Sequence, residues 1–489
     1  MELNDKTVKK MSLRKGALIY FIGIGGSSMS GLAEISLNRG YRVAGSDISI
    51  SPASEKLEAL GAAVHIGHSA DNIDNNVDLV VYTVAISPDN PEFLKAQELC
   101  LPIVERGVFL GWIADHFEKT VAVSGVHGKT TTTSMLSNIL LEAGMDPSAH
   151  IGGVIPGLES SVITGGSRFF VTEACEYHKN FLHIRPFAGI ILNIEPEHLD
   201  YFKTFRNMKN AFIKFAKGIP ENGYLVLCAD SECALSCAKY THANVVTYSV
   251  NDGQAPSVEN ADGKKVFAHF YAKDARQTHP SDDSLDSIKA GYSYNLVRNG
   301  SPVGRPELKI PGLYNVSDSL AAAAAASVLG CPDEKIVEGI STFTGAKRRF
   351  EIVGKTAKGA TVISDYAHHP SEIKVTIEAA KQNAKGKVIA VFQPHTYSRA
   401  LRFKNDFSKA LSSADKVILT DIYAAREKDT GVISSGDLLE LFLRKKLPAV
   451  LISDFDEIAS EIKKDANEND TVLLLGAGTV NKIADKIVE

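Results

Sequence analysis

Apolar and polar positions fall in alternating blocks along this chain. Short apolar runs, ALIYFIGIGG from Ala17, YRVAGSD from Tyr41 and DLVVYTVAI from Asp78, are separated by stretches whose apolar residues recur at helical spacing, MSGLAEISLNRG and SPASEKLEALG. Runs of the first kind read as strands buried in a parallel sheet, and those of the second as amphipathic helices that cover it. The alternation predicts a doubly wound, Rossmann-like α/β domain over residues 1–118. At TVAVSGVHGKT the rhythm begins again, a buried strand running straight into a glycine loop and then a helix, TTTSMLSNILLEAG. With RFFVTEA, AGIILNI and GYLVLCAD as further strands, a central α/β domain is expected over 119–345.

The texture changes between residues 245 and 310, where KKVFAHFYA and YSYNLVRNGSPVGRPELKI read as strands, the second broken by an Asn-Gly turn. A β-rich insertion in the central domain is the expectation. The alanine run in SDSLAAAAAASVLG is a helix rather than low complexity, because alanine has the highest helix propensity and lets neighbours pack closely. After GAKRRFE the α/β rhythm returns in ATVISDYAHHP, KVIAVFQPHTYSR, KVILTDIY and TVLLLGAG, which predicts a third, Rossmann-like domain over 346–489.

Composition narrows the class. A chain of 489 residues exceeds one core, and 44% hydrophobic with 23% charged residues excludes wholesale disorder. A net charge of −5 gives no general attraction to nucleic acid or an anionic membrane, so any anion site must be local. No run of about 18 apolar residues suggests a membrane span, and the opening residues lack the apolar core of a secretory signal, so a cytoplasmic location is expected. The six cysteines form no C-x-x-C pair and read as reduced packing thiols.

The chemistry sits at strand ends. Gly125-Val126-His127-Gly128-Lys129-Thr130-Thr131 is a shortened phosphate loop: a full one would need a glycine where Val123 stands. Its main-chain N–H groups and the following helix N-terminus offer donors to an anion, Lys129 adds a charge and Thr130 a hydroxyl for Mg²⁺. GIGGSSMSG offers Gly23, Gly25, Gly26 and Ser27 to a diphosphate, but Ser28 takes the place of the third glycine in a dinucleotide fingerprint, which argues against a dehydrogenase. Asp47 ends the next strand, placed to accept from a ribose. Glu173 and Glu176 follow one apolar strand and His198 another, so a carboxylate and an imidazole can converge beside the phosphate loop, where Glu173 suits Mg²⁺ better than His198 does. Asn315 can cap the alanine helix or meet a base edge. Lys347, Arg348 and Arg349 are either a solvated charge run or a source of an arginine for a transferring phosphoryl group. His368, His369, His395 and Arg399 gather at third-domain strand ends as a candidate carboxylate pocket.

With GIGGSSMSGLA, GVHGKTTTT, HLDYF, GAKRRFE, DYAHHPSE and FQPHTYSR all present, the sequence resembles the Mur ligases of peptidoglycan precursor synthesis, from Ala17 to the C-terminus. The resemblance implies a three-domain ligase with ATP and Mg²⁺ as cofactors. It implies UDP-N-acetylmuramate and L-alanine as substrates joined through an acyl phosphate, or a preformed tripeptide in place of L-alanine; a P-loop switch or motor is the alternative from another class. By the same resemblance Lys129, Glu173 and His198 are catalytic, with Thr130, Glu173 and His198 at the metal. Asn315 lies at the adenine, Arg349 or else Arg348 at the nucleotide, and His368, His369 and Arg399 at the substrates. Cys175, Asp318, Ser364 and Thr396 depart from the residues usual in the family. The third domain is expected to swing about residues 343–350 to close on the second. No nucleic-acid or membrane partner is implied, and the oligomeric state is open.

Overall fold

The computed structural model describes residues 2–155, 160–251, 253–278, 291–425 and 427–489. The chain forms two compact units, one of Met1–Lys273, Asn295–Arg305 and Ser317–Ile340, the other of Asp274–Tyr294, Pro306–Val316 and Ser341–Glu489. The first sheet contains β1 (Glu2–Leu3), β2 (Leu18–Ile22), β3 (Arg42–Asp47), β4 (Ala63–Ile66), β5 (Leu79–Tyr82) and β6 (Ile103–Glu105). Its order is β1-β6-β5-β2-β3-β4, with every pair parallel. Chain order reverses between β2 and β5, and the crevice at such a reversal is where open α/β sheets take ligands. The loop after β2, GIGGSS, opens there.

The central sheet contains β7 (Lys119–Ser124), β8 (Ser148–Ile155), β9 (Ser160–Ile163), β10 (Phe169–Glu173), β11 (Ala188–Ile191), β12 (Tyr224–Cys228), β13 (Asn244–Ser249) and β14 (Ala268–Thr278). They lie in the order β9-β8-β10-β7-β11-β12-β13-β14, parallel except for β8 with β9. β7 is thus flanked by β10 and β11, and all three end at the same edge. Val121, Ala122 and Val123 are fully buried, as a strand covered by helices on both faces requires. The β-rich insertion is present: β14 extends the parallel sheet, and β15 (Gly291–Arg298) turns at Asn299-Gly300 into β16 (Ser301–Gly304). The start of β15 also pairs with β17 (Glu307–Leu308). The alanine run lies in the helix Leu313–Val328, and Ala321 to Ala326 are all 0% exposed.

In the second unit β18 (Glu351–Lys355), β19 (Thr361–Asp365), β20 (Val388–Phe392), β21 (Lys416–Leu419), β22 (Ala449–Leu451) and β23 (Thr471–Leu475) take the order β18-β19-β23-β20-β21-β22. Only edge strand β18 is antiparallel. Among the described residues no helix is long and apolar enough to cross a membrane.

A buried carboxylate organises the first sheet. Glu92 is 0% exposed, and its oxygens accept from Tyr20 Oη at 2.9 Å, Asn72 Nδ2 at 2.7 Å, Ser46 Oγ, and His68 Nδ1 at 2.9 Å. Ser46 in turn receives the N–H groups of Gly23 and Ile24 on its carbonyl, so the network reaches the glycine loop through one residue. Burial, then Glu92, hold the Tyr20 phenol protonated far above its ordinary pKa. Removing the acceptor strands several donors at once in a medium that cannot solvate them. Glu92→Ala is expected to cost about 3–5 kcal/mol in urea denaturation, the scale for breaking a buried charged pair. A loss below about 1 kcal/mol, the worth of one ordinary hydrogen bond, would remove the network from this role.

Candidate functional site

The phosphate loop joins β7 to the helix Lys129–Glu142, whose N-cap is Gly128 at φ 84°. A Cβ on Gly128 would lie 2.5 Å from Asp318 Oδ1, so left-handed backbone and close approach both demand glycine. Val126 and His127 donate their N–H groups to Asn193 Oδ1 at 3.0 and 2.9 Å, and Asn193 Nδ2 donates to the His127 carbonyl at 3.1 Å. These two amides, expected to face an anion, are therefore engaged within the protein. Asn193, one residue beyond Leu192 at the end of the β11 run, has fixed the shape of the loop. The helix itself supplies no acceptor for its first-turn amides, which open at the same edge.

Lys129 turns back over the loop. Its Nζ donates to the carbonyls of Gly125 and Val126 and, at 3.0 Å, to Glu176 Oε2. Glu176 is 1% exposed, and its other oxygen lies 3.6 Å from His198 Nε2. Burial, the largest single influence, draws the Lys129 ammonium toward the neutral form, but Glu176 foremost, together with its neighbours Cys175 and Glu173, outweighs it, and the lysine pKa stands above its ordinary value. Glu173 faces Val123 across the sheet, and its Oε1 accepts from Gly152 N–H at 2.7 Å. Thr130 is 5% exposed. His127 Nε2 lies 3.5 Å from Glu195 Oε2. Cys175 is a thiol here, because burial and then Glu176 push its pKa up. Backbone strain collects around this edge: His178, Lys179 and His198 all have positive φ, and the Tyr177 ring lies 4.5 Å from that of His198.

At the first sheet's crevice Gly26 caps the helix Ser27–Asn38 with no side-chain hydrogen bond. Asp47 accepts from Gly25 N–H at 2.9 Å through Oδ2 and from Ile48 N–H at 2.8 Å through Oδ1. The carboxylate expected to meet a ribose is a brace for the glycine loop.

In the second unit His368 Nδ1 lies 2.9 Å from the Tyr366 carbonyl, which can only accept, so the ring's Nδ1 bears a proton. Arg399 Nη1 is 2.9 Å from His395 Nδ1, and since a guanidinium only donates, that nitrogen is unprotonated. The rings of His368 and His395 are 5.8 Å apart. His369 has a different setting: it N-caps the helix Pro370–Asn383 in a capping box with Glu372. Thr396, at φ 62°, starts the helix Tyr397–Ala410. Ser364 is 2% exposed on β19. Arg348 Nη2 donates to the carbonyls of Gly476 and Gly478, at 2.6 and 3.1 Å, and Arg349 lies 5.4 Å from the Tyr366 ring. Next to them Asp365, raised by burial against the pull of Arg349 to a pKa of about 6, accepts from Phe350 and Ala367 N–H at 2.7 Å each. Asn315 Nδ2 donates to the Pro311 carbonyl at 2.6 Å, bracing the turn that opens its helix.

A glycine-rich crevice at one sheet's switch point, a shortened phosphate loop at the edge of a second and a third α/β sheet define a three-domain nucleotide-dependent ligase. The chain belongs to the Mur ligase family: the family's catalytic domain matches residues 18–118, its middle domain 123–326 and its glutamate ligase domain 348–478. Among its relatives, UDP-N-acetylmuramate–L-alanine ligase of Acetivibrio thermocellus is 43% identical over 96% of this chain and 95% of its own. The enzyme of that name from Caldanaerobacter subterraneus subsp. tengcongensis is 43% identical over 98% and 99%. The crystal structure of UDP-N-acetylmuramate-alanine ligase MurC from Thermotoga maritima superposes with a TM-score of 0.77 at 27% identity, over 96% of this chain and 97% of its own.

Two residues of this edge carry more than sequence reasoning gave them. Glu176 was overshadowed by Glu173, although its three-residue offset from a strand end was visible, and Asn193 was signalled only by a polar side chain ending an apolar run. Their joint effect on Lys129 is testable. In Glu176→Gln the lysine keeps its burial and loses its principal counter-charge, so its pKa falls. The alkaline limb of the pH–kcat/KM profile is expected to move to lower pH, and an unmoved limb would detach Glu176 from the lysine's charge state.

Proposed function

We propose that this chain joins L-alanine to the lactyl carboxylate of UDP-N-acetylmuramate at the expense of ATP. The observation that carries the reading is the phosphate loop with Lys129, Glu176 and His198 at adjoining strand ends, in a chain whose full-length relatives bear that activity in their names. A carboxylate does not condense with an amine in water, because it is a poor electrophile with no leaving group. Attack of the carboxylate oxygen on the γ-phosphorus of ATP expels ADP and leaves an acyl phosphate. The alanine nitrogen then attacks the acyl carbon, loses a proton and expels phosphate as the amide forms.

The first-turn amides of Lys129–Glu142 and the Lys129 ammonium receive the triphosphate and offset charge on the transferring group. To do so the ammonium exchanges its hold on the Gly125 and Val126 carbonyls for phosphate oxygen while Glu176 keeps it charged. The hydroxyl of Thr130 and the carboxylate of Glu173 are hard oxygen donors that would hold Mg²⁺, and His198, 3.6 Å from Glu176 Oε1, would be the third group at the ion. When bound, that ion offsets phosphate charge. Gly23, Gly25, Gly26 and Ser27, with Asp47 as brace, take the diphosphate of the sugar nucleotide. Asn315 and Arg349, or Arg348, serve the ATP nucleotide, and His368, His369 and Arg399 the amino acid and sugar carboxylates.

Phosphate release measured with UDP-N-acetylmuramate and ATP tests this while the amine is varied. Fast release is expected with L-alanine, and Lys129→Ala is expected to abolish it with the fold intact by circular dichroism. Preference for an L-alanyl-containing tripeptide would overturn the choice of amine, and release independent of any amine would overturn the ligase reading.

A further inference from the structure

Ser28, which stands where a dinucleotide fingerprint has its third glycine, occupies the first turn of the helix Ser27–Asn38 and is held by two other elements. Arg106 Nη1, from the start of the helix Arg106–Ala114, donates to Ser28 Oγ at 3.1 Å. His150 Nε2, from β8 of the central sheet, lies 3.3 Å from the same oxygen and 3.2 Å from the Ser28 carbonyl. The imidazole is 4% exposed, and its Nδ1 has no hydrogen-bond partner among the described residues. It packs so closely on the helix that a Cβ on Gly31 would come within 2.8 Å of its Cδ2. Burial, and then Arg106, hold its pKa down at about 4, so the ring is neutral at neutral pH. An apolar ring would fill the same space without leaving a buried nitrogen unpaired. What histidine adds at this position is its contact with Ser28.

The same strand reaches the other nucleotide site. Two residues beyond His150, Gly152 N–H donates to Glu173 Oε1 at 2.7 Å, and the Gly152 carbonyl faces Ser27 Oγ at 3.5 Å. Residues 150–152 therefore connect the first turn of one loop's helix to the carboxylate beside the other loop.

We propose that His150, acting through Ser28, is a positioning residue that holds the sugar-nucleotide loop in register with the strand bracing Glu173, so that filling either nucleotide site tightens the other. The inference rests on the two sites assigned under the proposed function. A diphosphate on the first-turn amides orders Ser27 and Ser28, and with them His150, Gly152 and Glu173. A second ligand then binds a site already ordered, and the coupling is equal in both directions.

Titration calorimetry on the full chain reads this directly, by measuring UDP-N-acetylmuramate binding alone and in saturating adenylyl imidodiphosphate with Mg²⁺. The natural chain is expected to bind the sugar nucleotide about fivefold or more tightly when the second site is filled, the lower range of allosteric coupling. His150→Phe, a slightly larger ring without polar atoms, is expected to lose that gain, and His150→Gln, which restores a polar tip, to recover part of it. Ser28→Gly reads the contact from the other side should the His150 variants fail to fold. The double variant is expected to be no worse than either single one. Equal coupling in His150→Phe and the natural chain, or none in the natural chain, overturns the proposal. Absence of any sugar-nucleotide binding would instead bring down the functional reading on which it stands.

Discussion

The candidate ATP site depends on keeping one ammonium charged where water is scarce. A lysine drawn into a protein tends to give up its proton, and Lys129 keeps it because Glu176, itself almost wholly buried, lies 3.0 Å away. That pair can form because β7 and β10 are parallel neighbours: a residue opening the helix after one and a residue just past the end of the other must meet at the same edge. His198 reaches the second oxygen of Glu176 from beyond β11, on the other side of β7. Sheet order has thus brought three distant segments to one carboxylate, and the carboxylate sets the charge state of the group that would face phosphate.

The rigid parts around it follow a common pattern. A glycine loop has little intrinsic shape, so in each a side chain from a neighbouring strand end takes some of its amides. Asp47 does this for Gly25, and Asn193 for Val126 and His127. The choice of group fits the surroundings. A carboxylate at the first loop accepts from two amides, whereas the carboxamide at the second both accepts and donates, closing on the His127 carbonyl without adding negative charge beside a phosphate site.

Local chemistry made much of this legible in the sequence, and tertiary chemistry made the rest opaque. Buried strands, the Asn-Gly hairpin at Asn299-Gly300 and the alanine helix followed from periodicity and turn preference, which act within a few residues. The phosphate loop was equally readable, because Gly128, Lys129 and Thr130 must be consecutive. Which of Glu173 and Glu176 would meet Lys129 was not, since both follow the same strand and the outcome depends on how the chain leaves it. His369 could not be told from His368 for the same reason: one begins a helix and caps it, while its neighbour is directed toward His395. The contact of Ser28 with His150 joins residues far apart in sequence, and no periodicity announces it.

Helix starts show how a chain of net negative charge can favour anions locally. Among the described helices of eight residues or more with a defined N-cap, most begin with a side-chain cap, as at Ser51, Asn90, Thr204, Ser434 and Asp454. Three do not: Ser27–Asn38, Lys129–Glu142 and Tyr397–Ala410. None of the three has an acidic residue in its first turn. A capping oxygen satisfies first-turn amides, and an acidic residue there cancels the positive end of the helix dipole. Both are withheld at the starts that follow the first sheet's glycine loop and the phosphate loop, whereas at Tyr397–Ala410 the Ser398 N–H donates to Glu427 Oε2 at 2.9 Å, so a carboxylate from another segment already occupies that end. At the first two ends an anion can supply what elsewhere in the chain a serine, asparagine or aspartate provides, and at the third Glu427 shows a carboxylate doing so from within the protein.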